Sequence, residues 1–251
     1  ATFNALLCAR ERHLGADIRR GTIYTSDQTH HCVLKAAKIA GIMPDRVRAL
    51  ACDERYRLPI AALREAIARD RAAGLTPCAV VSNAGTTNTG AVDPLAAIAE
   101  VCAAEGVWHH VDGAYGGAGL AAPSVRDLYA GIEHCDSFIV DPHKWLFAPA
   151  GSCALVYQRP WLARETHTQH GPYIDVLRTD DDAYNPCDLG YQLTRRASGL
   201  PIWFALALHG VEAHRAAIRH GFVLAQHMAD ALDANETTEL VMEPELGVVL
   251  F

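Results

Sequence analysis

The 251 residues are half apolar, enough for one large core or for one domain and part of another. Charged residues make up 20% and the net charge is −7, with no basic block, so a nucleic-acid partner is not expected. No apolar run approaches the roughly 20 residues that span a bilayer, and no signal peptide opens the chain, so a membrane partner is not expected either.

Eight cysteines are scattered without a CxxC pair, several inside apolar runs where a thiol behaves as a small hydrophobe. The expectation is a cytoplasmic protein without disulfides. The histidine pairs His30-His31 and His109-His110 are adjacent, and neighbours on a strand face opposite ways, so no metal site is expected.

Residues 1–14 read as a helix already under way, followed by a strand at Thr22–Thr25 and a helix over 29–40 ending at Gly41. Val47–Leu50 reads as a strand, 59–73 as a helix opening on Pro59 and stopping at Gly74, and Cys78–Ser82 as a buried strand. Asp93-Pro94 is expected to cap a helix running to Glu105 and Gly106. Val107–Val111, Ser137–Val140 and Ala154–Tyr157 complete the strands.

Residues 165–190 lose this rhythm and read as a long loop of the kind that serves as a lid. A helical stretch over 199–232 is expected to break near Gly210 or Gly221, and a strand region starts near Glu239. The chain stops inside the strand-like run Gly247–Phe251, so both ends read as cut from a longer subunit. Strands alternating with crossover helices predict an α/β fold with a mostly parallel sheet.

Polar clusters follow four of the strands: Ser26–His30, Asn83–Asn88, Asp112–Tyr115 and the segment around Lys144. The carboxyl edge of such a sheet is where ligands bind, so the four clusters predict one site. Only three of the 22 Lys and Arg residues are lysines, and Lys144 alone among them is flanked by apolar and aromatic residues. A lysine in such surroundings can become a Schiff-base nucleophile; it can equally be an ordinary surface lysine.

Asp112 at a strand end can hold a protonated pyridine nitrogen, or simply cap a turn. Small residues Gly113 and Ala114 would let a flat ring approach the backbone. His30 can stack on a planar cofactor or make local hydrogen bonds at a helix start. Thr86 and Thr87 can donate hydroxyls to a cofactor or form a polar turn.

The runs Ser26-Asp27-Gln28-Thr29-His30, Ala84 to Pro94, His110-Val111-Asp112-Gly113-Ala114-Tyr115 and Asp136 to Trp145 occur in one order. Together they resemble the group II pyridoxal-phosphate (PLP)-dependent amino-acid decarboxylases, of the aromatic-L-amino-acid decarboxylase type. The resemblance implies the large domain of a type I PLP-dependent transferase fold (aspartate aminotransferase-like). That domain would occupy residues 1–190, with 191–251 a connecting helix and the start of a smaller α/β domain.

By the same resemblance, Lys144 carries PLP as a Schiff base and Asp112 pairs with the pyridine nitrogen. Ala114 packs under the ring, His30 stacks over it, Thr87 approaches the ring hydroxyl and His143 contacts the phosphate region. Tyr173 resembles the loop tyrosine that protonates Cα after CO₂ leaves. The implied reaction is α-decarboxylation of an L-amino acid, aromatic in preference to glutamate or diaminobutyrate, by a homodimer.

This chain departs from the resemblance in two respects. Aromatic-type members often have Asn where Asp141 stands, and a carboxylate there would repel a phosphate unless it turns away. The Gly/Ser-rich turn that anchors the phosphate would lie before Ala1. An aminotransferase shares the Asp and Lys, an aldehyde synthase would alter Tyr173 or His30, and a non-catalytic binding module would bind no PLP.

Overall fold

The computed structural model describes residues 1–172 and 185–251. Six strands form one sheet in the order β2-β1-β3-β4-β5-β6. They are β1 (Gly21–Ser26), β2 (Val47–Leu50), β3 (Thr76–Asn83), β4 (Trp108–Asp112), β5 (Ser137–Val140) and β6 (Ala154–Tyr157). The first five are mutually parallel, and β6 runs antiparallel to β5 at the edge.

Helices cover both faces, as a parallel sheet requires. Alternate residues of a strand point opposite ways, and the two cores divide accordingly. Ile23, Ala79, Val81 and Trp108 pack with residues of α1 (Thr2–Leu14), α2 (Cys32–Ile39) and α5 (Pro160–His167). Their neighbours Tyr24 and Val80 pack with Leu63 and Ile67 of α3 (Ile60–Ala72) and Ile98 and Val101 of α4 (Leu95–Glu105). A third cluster joins Val111, Tyr129 and Trp145 to Ile218 of α6 (Leu200–Asp233) and to Leu246.

The connection from β4 to β5 is built of 3₁₀ turns rather than a crossover helix. Gly106 closes α4 in the left-handed conformation (φ 61°, ψ 43°), which glycine adopts without a Cβ clash. α6 is broken at Gly210 (φ 77°, ψ 161°), one of the two expected positions.

The structure corrects three expectations. Asp93 does not cap α4, whose first turn has no side-chain cap. Its buried carboxylate instead accepts from the backbone N–H groups of Leu58 and Asn83, both at 2.7 Å, and so ties the end of β3 to the loop before α3. The loop expected over 165–190 begins with a helix, because α5 continues to His167 from Pro160, a favoured first helical residue. The strand expected from Glu239 reduces, among the described residues, to one isolated bridge between Met242 and Leu250. No helix among the described residues is long and apolar enough to cross a membrane.

Candidate active site

The carboxyl ends of β1, β3, β4 and β5 meet around a cavity of about 260 Å³. It is lined by His30 after β1, Thr86 and Thr87 after β3, Asp112 and Ala114 at the end of β4, and Lys144 after β5. The four polar clusters therefore converge, as the sheet-edge argument requires. A more voluminous cleft of about 1090 Å³, lined by His13, Ala99, Asp136 and Arg159 among others, lies toward the amino ends of β4 and β5. It shares no lining residue with the cavity around Lys144.

Asp112 is buried, and it accepts a hydrogen bond from the Ala114 N–H at 3.1 Å. It thus makes the turn-capping bond and faces the cavity as well. Burial pushes its carboxyl up; the Ala114 N–H and then the nearby Lys144 ammonium pull it back. Such a carboxylate is best satisfied by a cationic N–H donor arriving from the cavity.

Gly113 serves packing rather than the cavity: a Cβ there would lie 2.4 Å from the Phe138 ring and 2.9 Å from the Ile139 carbonyl oxygen. Ala114 is the small residue that lines the cavity.

Lys144 sits in a turn after β5. Its N–H donates to the Asp141 carbonyl at 3.0 Å, and the Asp141 N–H donates to the Ala114 carbonyl at 3.0 Å. These bonds anchor the lysine turn directly to the Asp112 turn. The Lys144 Nζ lies 3.2 Å from Asp141 Oδ2.

His30 is exposed, and its Nδ1 accepts from the Cys32 N–H at 3.3 Å, so the local helix-start bond is made while the residue also borders the cavity. The segment before it is held by Thr29, whose hydroxyl accepts from Asn83 Nδ2 at 2.8 Å. Thr86 is buried with its hydroxyl 2.6 Å from that of Thr89, while Thr87 is exposed at the cavity.

His143 is not among the cavity's lining residues; its Nδ1 lies 2.9 Å from the Ser152 carbonyl oxygen. Tyr173 lies outside the described residues. Sequence reasoning missed Cys32 and Cys153 as lining residues and left Asp141 without a role. A signal for Asp141 was present, since residues three apart in a tight turn share a side.

The donor set fits PLP at its ring end. It offers an amine for the aldehyde, a buried carboxylate short of a cationic donor for the ring nitrogen, and a small residue for the ring face. For the phosphate the lining offers the threonine hydroxyls.

Comparison with known proteins agrees. An aromatic-L-amino-acid decarboxylase of Bacillus atrophaeus is 37% identical over all of this chain and 52% of its own length. A phenylacetaldehyde synthase of Petunia hybrida is 33% identical, again over the whole chain and 52% of its own length. The crystal structure of Oryza sativa TDC with PLP and tryptamine superposes with a TM-score of 0.92 at 29% identity, covering 99% of this chain and 53% of that one. The chain thus spans about half the length of the relatives it matches. The model of the pyridoxal-dependent decarboxylase conserved domain matches residues 9–251, and the chain belongs to that family.

Proposed function

We propose that this chain carries the cofactor-binding centre of a PLP-dependent decarboxylase that converts an aromatic L-amino acid to its amine and CO₂. The observation that carries the reading is the convergence of Lys144, Asp112 and His30 on one cavity at the sheet edge. The aromatic preference is supported by the names of the similar proteins.

When bound, PLP supplies an aldehyde that condenses with amines and a cationic ring that accepts the electron pair of the breaking Cα–carboxylate bond. This chain's residues do the rest. Lys144 Nζ would hold the cofactor through its aldehyde and would give way to the substrate amine there. Asp112, buried at the end of β4 with the Ala114 N–H and the nearby Lys144 ammonium favouring its charged form, would pair with the ring nitrogen and keep it protonated. Ala114 and His30 confine the two ring faces and Thr87 serves the ring hydroxyl; the expected phosphate role of His143 is not supported by its orientation toward Ser152. Tyr173 delivers its phenol proton to Cα.

The homodimer proposed for the full-length form is supported by the apolar surface that α6 presents at Trp203, Phe204 and Leu208, all more than half exposed. The division near residue 190 into a cofactor domain and a second unit, and a cytoplasmic location, belong to the same proposal.

A second reading, aldehyde synthesis, is favoured by the likeness to the phenylacetaldehyde synthase. The test incubates full-length protein with PLP and each aromatic amino acid, and assays amine, aldehyde and hydrogen peroxide. Amine as the main product, with Tyr173→Phe lowering its formation by about 10²-fold or more, is expected. Aldehyde with peroxide establishes the second reading, and an undiminished Tyr173→Phe variant removes the tyrosine from the mechanism.

A further inference from the structure

The cavity holds two carboxylates, Asp112 and Asp141, beside the Lys144 ammonium. Asp112 is engaged by its own turn through the Ala114 N–H. Asp141 is the one that reaches the lysine, with Oδ2 at 3.2 Å from Nζ and its side chain only 15% exposed. The contact is built in by the backbone. The Lys144 N–H closes a turn on the Asp141 carbonyl, and Asp141 is itself pinned to Ala114.

The other groups facing this carboxylate are His143, whose Nε2 is 4.0 Å from Oδ2, and the Cys153 thiol. Burial and then a hydrogen bond to Asp141 push that thiol up. It is a neutral donor to the carboxylate and does not compete with the lysine for charge.

We propose that Asp141 is a positioning residue that holds the Lys144 ammonium at the cavity whenever its nitrogen is not bonded to the cofactor. This rests on the reading of Lys144 as the cofactor lysine. An amino-acid ammonium that replaces Lys144 on the cofactor carbon forms one C–N linkage as another breaks, and its surplus protons leave on Lys144. The exchange conserves charge and ends with a cationic lysine that must neither swing into solvent nor stay on the reacting carbon. A carboxylate three residues away meets both needs. The same contact slows capture of an aldehyde by the free lysine, because the ion pair must break before the nitrogen can reach the aldehyde carbon.

The test uses full-length apoprotein and pyridoxal, which lacks the phosphate and so removes phosphate attraction from the comparison. The Lys144 amine condenses with the aldehyde with loss of water, and borohydride reduces the resulting C=N bond to a stable secondary amine. Peptide mass spectrometry compares labelling of Lys144 with that of Lys35 and Lys38, two exposed lysines that serve as references in the same sample.

Asp141→Asn is expected to raise the Lys144 ratio by roughly two- to fivefold, the range for a partly exposed ion pair. Asp141→Glu should stay near the parent value. Added salt should raise the ratio more in the parent than in Asp141→Asn, because screening acts on the Lys144–Asp141 pair that the variant lacks. An unchanged ratio in Asp141→Asn overturns the proposal. So does an equal change in Asp141→Asn and Asp141→Glu, which would mark a distorted turn. A separate arm with PLP keeps the two readings apart: if borohydride fixes no PLP on Lys144 of the parent, the cofactor reading fails, whatever the pyridoxal ratios show.

Discussion

β4 buries ionisable groups in two different surroundings, in mid-strand and at its carboxyl end. His109 and His110 lie in mid-strand, where burial pushes the His109 imidazole down to about 4 and burial, with smaller help from neighbouring charge, pushes that of His110 down to about 3. Their hydrogen-bond partners are small hydroxyls: Ser82 Oγ lies 2.8 Å from His109 Nε2, and Ser137 Oγ lies 2.8 Å from His110 Nδ1. Two residues further on, Asp112 is also buried, yet it faces a cavity with Lys144 and His30 nearby. Burial disfavours charge on both kinds of group, but at the sheet edge the Ala114 N–H and the Lys144 ammonium oppose it, and a ligand in the cavity can oppose it further. Substitutions along this strand and beside it test that contrast.

The largest effect is expected at Lys144. Lys144→Ala removes the only amine side chain among the described residues lining the cavity and should abolish the borohydride-fixed PLP adduct and the decarboxylation. Its side chain is 41% exposed, so stability should change by no more than about 0.5 kcal/mol in urea titrations. Loss of activity through unfolding would instead make this a structural lysine.

Next comes Asp112→Asn. The amide oxygen can still accept from the Ala114 N–H, so the turn survives while the charge is lost. Turnover should fall on the order of 10²- to 10⁴-fold with the Lys144 adduct still forming. Near-normal turnover would place Asp112 with the histidines, as a buried group whose charge does nothing.

The elements that the sequence made legible were those with local signals. Ser137–Val140 and Ala154–Tyr157 are strands with the expected bounds, because apolar runs between turn residues define them. The convergence of the four clusters followed from the parallel topology, since every strand must end on the same edge. What stayed hidden depended on long-range partners.

Asp93 reads as a helix cap until β3 is seen to bring the Asn83 N–H, and the chain before α3 the Leu58 N–H, to its carboxylate. The lining role of Cys32 and Cys153 needs α2 and β6 to be placed on either side of the cavity, and nothing in their immediate sequence carries that. The orientation of His143 toward Ser152 likewise depends on the chain returning into β6.

The smallest effect sharpens the contrast from the neutral side. His109 is buried, and its ordinary value of 6.5 falls to about 4 in the fold. Between those values the unfolded chain binds a proton that the folded one refuses, so stability rises with pH and is lost as the pH drops from 6.5 toward 4. At about 1.4 kcal/mol per unit, this one group is worth on the order of 3 kcal/mol across the window. His110 acts in the same direction and extends the loss to about pH 3. Gln at position 109 keeps a polar group within reach of Ser82 but cannot take up the proton. His109→Gln should therefore cost about 1 kcal/mol at pH 7.5 and show a shallower decline of urea stability between pH 6.5 and 4. The Lys144 adduct should be unaffected, because the substitution leaves the sheet edge intact. A decline as steep as the parent's would mean that other groups control the acid limb and that His109 is not held neutral by its burial.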